Sequence, residues 1–176
     1  MKMDVYLVDY KRTAFSRSRP REPEKDLFNS LRMDEVMAML LNDIISRTRI
    51  DPKDIGDVIT GCALQVGEDW LYGGRMPVLL AGLPPEVPAM GVDRQCSSSM
   101  AAIAMGAFEI VAGHSHAVIA GGMEHMTHVP MGDNPMIIYN RKLIEDPRYA
   151  KYDMTTGFSM GLTAEKLASL NNIGRR

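Results

Sequence analysis

The sequence has 176 residues, 45% hydrophobic and 24% charged, with 20 basic against 22 acidic side chains and a net charge of −2. That length suffices for one domain with its own core, and the near-neutral balance speaks against a general nucleic-acid binder. No apolar run approaches the roughly 18 residues needed to span a membrane, the opening Met-Lys-Met-Asp has no signal-peptide core, and there are only two cysteines, Cys62 and Cys96, so a cytoplasmic protein without disulfides is expected.

Val5–Val8 is predicted as a strand and Lys11–Asp26, charged and Pro-containing, as a loop. Met33, Val36, Met37, Leu40, Leu41 and Ile44 recur on one face of an amphipathic helix, with Asp34 and Glu35 suited to its first turn and Arg47 and Arg49 to its last. Ile55–Thr60 is predicted as a second strand. Gly74–Ala81 is predicted as a helix, ended by Gly82 and Pro84. Pro88–Val92 reads as a short buried strand or extended segment, and Ser97–Ala112 as a helix stopped by Gly113. Met100, Ile103, Ala104, Ala107, Ile110 and Val111 give that helix an apolar face, and its many small residues let other backbones come close. Ala117–Ala120 is a further strand. After Gly122 the pattern weakens: Met123–Phe158 carries Pro130, Pro135 and Pro147 among mixed charges, and Thr163–Asn171 is a last helix with Gly174 as its cap. Strands alternating with helices predict an α/β fold.

Cys96 lies where an extended apolar segment gives way to a small-residue helix, in Val92-Asp-Arg-Gln-Cys-Ser-Ser-Ser-Met-Ala-Ala-Ile103. Unpaired N–H groups and the helix dipole at such a place favour a thiolate. A thiolate is the species that attacks a carbonyl, and the same N–H groups suit an oxyanion. The competing reading is a buried structural cysteine, and that is the role expected of Cys62. His114, His116, Glu124, His125 and His128 make a metal site conceivable, but His114 and His116 read better as a polar turn, and no metal is expected. Arg17, Arg19, Arg21, Arg141, Lys142, Arg148 and Lys151 are interleaved with acids and read as solvated surface.

At these residues the chain resembles the thiolases, the acetyl-CoA acyltransferases. Val92, Arg94, Cys96, Ser97, Ser98, Ser99 and Ile103 fit that family's nucleophile signature, and Asp93 stands where Asn is usual. Val5-Tyr-Leu-Val-Asp-Tyr-Lys-Arg-Thr-Ala-Phe15, Asp51–Gly61, Gly74–Pro84, Ala120-Gly-Gly-Met-Glu-His-Met126 and Met160-Gly-Leu-Thr-Ala-Glu165 are similar to further family landmarks, in order along nearly the whole chain. The resemblance implies a layered thiolase-like fold: an N-terminal core over 1–122 with a mixed sheet and a buried nucleophile helix. Over 123–176 it implies the start of an inserted loop domain that covers the CoA site. It implies that Cys96 accepts an acyl group, that Met160 borders that group, and that His125 lines the active-site region. It implies no cofactor, since CoA is a substrate.

Glu124–Met131 is similar to the thiolase subunit of bacterial fatty-acid oxidation complexes. A 3-ketoacyl-CoA thiolase is therefore expected ahead of an acetoacetyl-CoA thiolase, a non-catalytic assembly module or a ketoacyl synthase. Thiolases carry a second, similar half with a Gly-His-Pro histidine, an Asn-Glu-Ala-Phe asparagine and a second cysteine in a Cys-x-Gly turn. The resemblance thus implies a fragment or split subunit that needs a C-terminal half. Expected partners are acyl-CoA and CoA, a second copy or a tetramer, and a hydratase/dehydrogenase subunit.

Overall fold

Three strands form one sheet in the computed structural model, which describes residues 4–175. They are β1 (Asp57–Gly61), β2 (Ala89–Val92) and β3 (Val118–Gly122), in the order β2-β1-β3. In register, Val58 faces Ala89 and Ile119, and Gly61 faces Val92 and Gly122. Parallel neighbours require crossovers. The crossovers contain α2 (Arg75–Leu80) between β1 and β2 and α3 (Ser98–Val111) between β2 and β3.

Both pairings are parallel, so the mixed character expected of the sheet is not seen among the described strands. Val5–Val8, expected as a strand, is instead unpaired, with Tyr6, Leu7 and Val8 exposed. A strand persists only where a neighbouring edge takes up its N–H and C=O groups, and none of the three described strands pairs with this segment. Its polar continuation is tied to α1 (Met33–Thr48) by ion pairs, Asp9 to Arg47 at 2.6 Å and Lys11 to Asp43 at 3.1 Å.

α1 forms where the apolar periodicity placed it. Met33, Met37 and Leu41 are buried, while Met39 on the opposite side is exposed. Asp34 and Glu35 lie in its first turn, and Arg49 ends it in the left-handed region at φ 58°. The main core joins Met37 and Leu41 of α1, Val58 of β1, Val78 of α2, and Ile55, Leu83 and Val87 from the connections. Ala89 and Ile119 flank Val58 in register and pack against the same core, so α1 and α2 cover one face of the sheet. Full burial of a side chain the size of Leu41 contributes about 1.5–3 kcal/mol.

The other face of β1, carrying Ile59 and Gly61, belongs to α3. That helix buries Ser98, Ala102 and Gly106, four residues apart and all small. The apolar face expected from the sequence is turned outward instead: Met100 is 69% exposed and Ile103 is 53% exposed. The physical reason is closeness. A Cβ on Gly106 would stand 2.8 Å from Val118 Cγ1, and at that separation only a small-residue stripe fits between helix and sheet. Gly113, at φ 74°, follows the last turn as anticipated.

The chain divides into two compact units, the first ending at Met136 and the second beginning at Ile137. The second contains α4 (Lys142–Glu145), a 3-10 turn over Pro147–Tyr152, α5 (Met154–Gly157) and α6 (Met160–Leu170). α6 starts a turn earlier than predicted because Ser159 Oγ caps it, accepting from Leu162 N–H at 3.3 Å. The left-handed residue beyond it is Asn172, at φ 53°, rather than the expected Gly174. No described helix is long and apolar enough to cross a membrane.

Candidate active site

Cys96 sits on a tight turn between β2 and α3. Asp93 begins the turn: its Oδ1 accepts from the Gln95 N–H at 2.7 Å. Gln95 is held at φ 50°, a region that few side chains adopt without such a local bond. Ser98 closes the turn from the helix side. Its Oγ accepts from Arg94 N–H at 2.9 Å and donates to Gln95 O at 2.6 Å. The helix itself begins at Ser98 with Ser97 as its N-cap, one residue later than predicted, so Cys96 stands just outside the helix and is exposed.

Two glycines let this helix end rest on the sheet. A Cβ on Gly61 would lie 2.6 Å from Ser98 O, and one on Gly122 would lie 2.7 Å from Ser99 Cβ. Both glycines end their strands, so the N-terminus of α3 and the Cys96 turn are seated against the carboxyl ends of β1 and β3.

A cleft of about 450 Å³ opens beside Cys96, and Cys62, Ser98, Glu124 and His125 also line it. Glu124 organises the facing wall. Its Oε2 accepts from Ala63 N–H at 2.8 Å and its Oε1 from Leu64 N–H at 3.2 Å, while the Cys62 thiol donates to Oε1 at 3.7 Å. Gln95 Nε2 reaches Ala63 O at 3.5 Å, so the same loop is tied to the Cys96 turn. Burial, with the carboxylates of Glu124 and Asp69 close by, pushes the Cys62 thiol up to about 12. Cys62 is therefore a neutral thiol near pH 7, packed inside as expected, although it also reaches the cleft. Of the two cysteines, only Cys96 is exposed.

His125 was expected to line the active-site region and does border the cleft, but its polar atoms are committed elsewhere. Its ring Nε2 hydrogen-bonds Phe28 O at 3.1 Å, and its backbone N–H donates to Asp69 Oδ2 at 3.1 Å. Its ring stacks on His128 with centroids 3.8 Å apart, and His128 is held by Glu68 at 2.5 Å and Asn29 at 3.0 Å. Below this pair, Asp26 accepts from the hydroxyls of Ser16 and Thr127 and from Phe28 N–H. Burial pushes the Asp26 carboxyl up, but those three hydrogen bonds outweigh it and hold the group down at about 2.

Met160 lies in the second unit, as the exposed first residue of α6. His114 and His116 are exposed in the turn between α3 and β3, as the polar-turn reading expected. Arg141 is paired with Glu145 and Arg148 with Asp146, in keeping with solvated surface. The sequence reading missed Asp93, Gln95 and Ser98 as the builders of the turn, and Asp69 altogether. An Asp two residues before a strained position and a Ser at the helix start were visible signals. The partners of Asp69 are distant in sequence and were not.

The family model described as "Thiolase, N-terminal domain" matches residues 5–176. A 3-ketoacyl-CoA thiolase of Saccharophagus degradans is 37% identical over 173 residues, covering 98% of this chain and 41% of that protein. One from Acinetobacter baylyi is 36% identical over 172 residues with the same coverage, 98% and 41%. Among solved structures, the dimeric peroxisomal thiolase of Saccharomyces cerevisiae superposes with a TM-score of 0.71 at 29% identity, over 86% of this chain and 39% of that one. The chain thus spans about two fifths of the length of these relatives. By the extent of that match, the chain belongs to the thiolase family, as an N-terminal domain.

Proposed function

We propose that this chain supplies the acyl-accepting part of a 3-ketoacyl-CoA thiolase of the fatty-acid β-oxidation type. The observation that carries the reading is the placement of Cys96: exposed, on a turn fixed by Asp93 and Ser98, at the N-terminal end of α3 and beside a cleft. In the proposed reaction the Cys96 thiolate attacks the 3-keto carbon of a 3-ketoacyl-CoA. The bond between carbons 2 and 3 breaks, and acetyl-CoA leaves as an enolate that an acid protonates. CoA then attacks the acyl-cysteine through its thiolate, forming the shortened acyl-CoA and returning Cys96. No described acceptor takes the Cys96 N–H, which suits it to an oxyanion on the acyl-cysteine.

The acid and the remaining donors would come from the region that matches the second half of the longer relatives. The outward apolar face of α3, with Met100, Ile103 and Phe108 exposed, supports a partner surface there. Met160 would border the acyl group once the CoA-covering loop domain is complete. A cytoplasmic location, assembly as a dimer or tetramer, and association with a hydratase/dehydrogenase subunit belong to the same proposal. So does the expectation that no cofactor beyond substrate CoA takes part in the chemistry. Asp93 is compatible with the reading despite the family's usual Asn, because the turn uses only one acceptor oxygen, which either side chain offers.

The test is acylation. The protein, assembled with its second half and exposed to acetyl-CoA, should gain one acetyl group on Cys96 by intact mass and peptide mapping, and Cys96→Ser should gain none. Thiolysis by an assembly whose Cys96 stays unlabelled would overturn the proposal.

A further inference from the structure

Behind the wall opposite Cys96, three acidic groups converge from separate parts of the chain. Cys62 directly follows β1, Asp69 ends the short 3-10 turn Gly67–Asp69, and Glu124 follows β3. One ligand atom from each, a sulfur and two carboxylate oxygens, lies within 4.8 Å of the others. Cys62 is 1% exposed and Asp69 is completely buried. Among the described residues, no Lys, Arg or His side chain pairs with either carboxylate, whose hydrogen-bond donors are backbone N–H groups and the Cys62 thiol. Burying the Asp69 carboxylate beside the half-buried Glu124 without a counter-charge is costly. The deficit also has a local mark: Asp69 Oδ1 is buried and has no hydrogen-bond partner.

We propose that Cys62, Asp69 and Glu124 form a binding site for one thiophilic divalent cation of the zinc type. A tetrahedral zinc ion takes sulfur at about 2.3 Å and carboxylate oxygen at about 2.0–2.2 Å, which sets its ligands roughly 3.3–3.8 Å apart. The three atoms reach that spacing by side-chain adjustments of about an ångström. A thiolate beside two carboxylates selects a borderline-soft ion over calcium or magnesium, which take oxygen alone. Cys62 and Glu124 both face the cleft, which gives an ion its route and leaves a fourth position for water. The second cluster, Glu68 with His125 and His128, carries no such mark, because its groups already satisfy one another or neighbouring atoms. The proposal is independent of the acyl-transfer reading, and its test needs no turnover.

The experiment is a titration of chelator-treated protein with Co²⁺, followed by displacement with Zn²⁺. A thiolate-to-cobalt charge-transfer absorption should saturate at one equivalent and vanish as zinc is added. Cys96→Ser should keep that band and Cys62→Ser should lose it. Asp69→Asn, which removes a buried charge while keeping the shape, should fold and bind at least tenfold more weakly. The proposal is overturned if no band saturates at one equivalent, if the band survives in Cys62→Ser, or if Asp69→Asn binds like the parent. A proton shared between Asp69 and Glu124 would then account for the cluster.

Discussion

Gly61→Ala is the sharpest test of how Cys96 is positioned. The added methyl would stand 2.6 Å from Ser98 O, whereas carbon and oxygen normally approach no closer than about 3.3 Å. At least about 0.7 Å of separation must therefore be found, and more from the Ser98 carbonyl carbon and Ser99 N, which lie closer still; all three are backbone atoms, which cannot swing aside as a side chain would. Overpacking of this kind costs about 1–3 kcal/mol, and the rigid neighbour puts this site at the upper end. Relief of glycine's backbone entropy returns about 0.4–1 kcal/mol. A net loss of about 2 kcal/mol follows, which for a domain of this size lowers the unfolding midpoint by roughly 4–8 °C. If α3 gives way instead, the Cys96 turn moves with it, and a displacement of about 1 Å can cost a factor of about 100 in rate. The assay pairs calorimetry with the rate of Cys96 acetylation. Gly106→Ala is the comparison: its methyl meets Val118 Cγ1 at 2.8 Å, a side-chain rather than a backbone atom, and a mid-helix alanine regains about 1 kcal/mol, so it should cost less than Gly61→Ala. The reasoning is refuted if Gly61→Ala leaves both midpoint and acetylation rate unchanged, or if Gly106→Ala is the more harmful of the two.

Ser98→Ala removes both hydrogen bonds that close the turn and orphans the Arg94 N–H, for a loss of about 1–3 kcal/mol. Urea unfolding should show that loss, with slower Cys96 acetylation alongside; unchanged acetylation would mean that Asp93 alone holds the turn. Asp26 predicts an acid-side transition. Its folded value of about 2 lies below the ordinary aspartate value of about 3.9, so its contribution is complete above about pH 4 and is lost as the pH falls through about 2. Asp26→Asn should flatten the dependence of the urea midpoint on pH in that window, and an unchanged slope there would contradict the assignment.

What the sequence made legible follows from range. α1 was readable because its periodicity is local and its first turn carries the acids that a helix N-terminus favours. The strand–turn–helix around Cys96 was readable for the same reason. The sheet order was not, because pairing of β1 with both β2 and β3 depends on crossovers that pattern does not rank. α3 was misread in orientation. Periodicity finds the stripe with the largest apolar residues, but contact with a sheet at close range selects the stripe with the smallest. Val5–Val8 has the apolar run of a strand but pairs with none of the described strands. Cys62, Asp69 and Glu124 were seen singly or not at all, since their meeting is a property of the tertiary fold.

The sheet itself explains why the chemistry collects where it does. In open parallel α/β sheets, binding sites form beyond the carboxyl ends of the strands. Here Gly61 leads into Cys62, Val92 into the Cys96 turn and Gly122 into Glu124, so all three strands deliver a functional side chain to one edge. The glycines on two of them bring the α3 N-terminus down onto that edge. What then separates the two cysteines is solvent and charge. Cys62 emerges beneath the surface, where burial, with Glu124 and Asp69 close by, keeps its thiol protonated. Cys96 emerges on the outside of a helix start, among backbone N–H groups and open to the cleft. The two cysteines thus differ in depth at the same end of the sheet, Cys62 buried and Cys96 exposed.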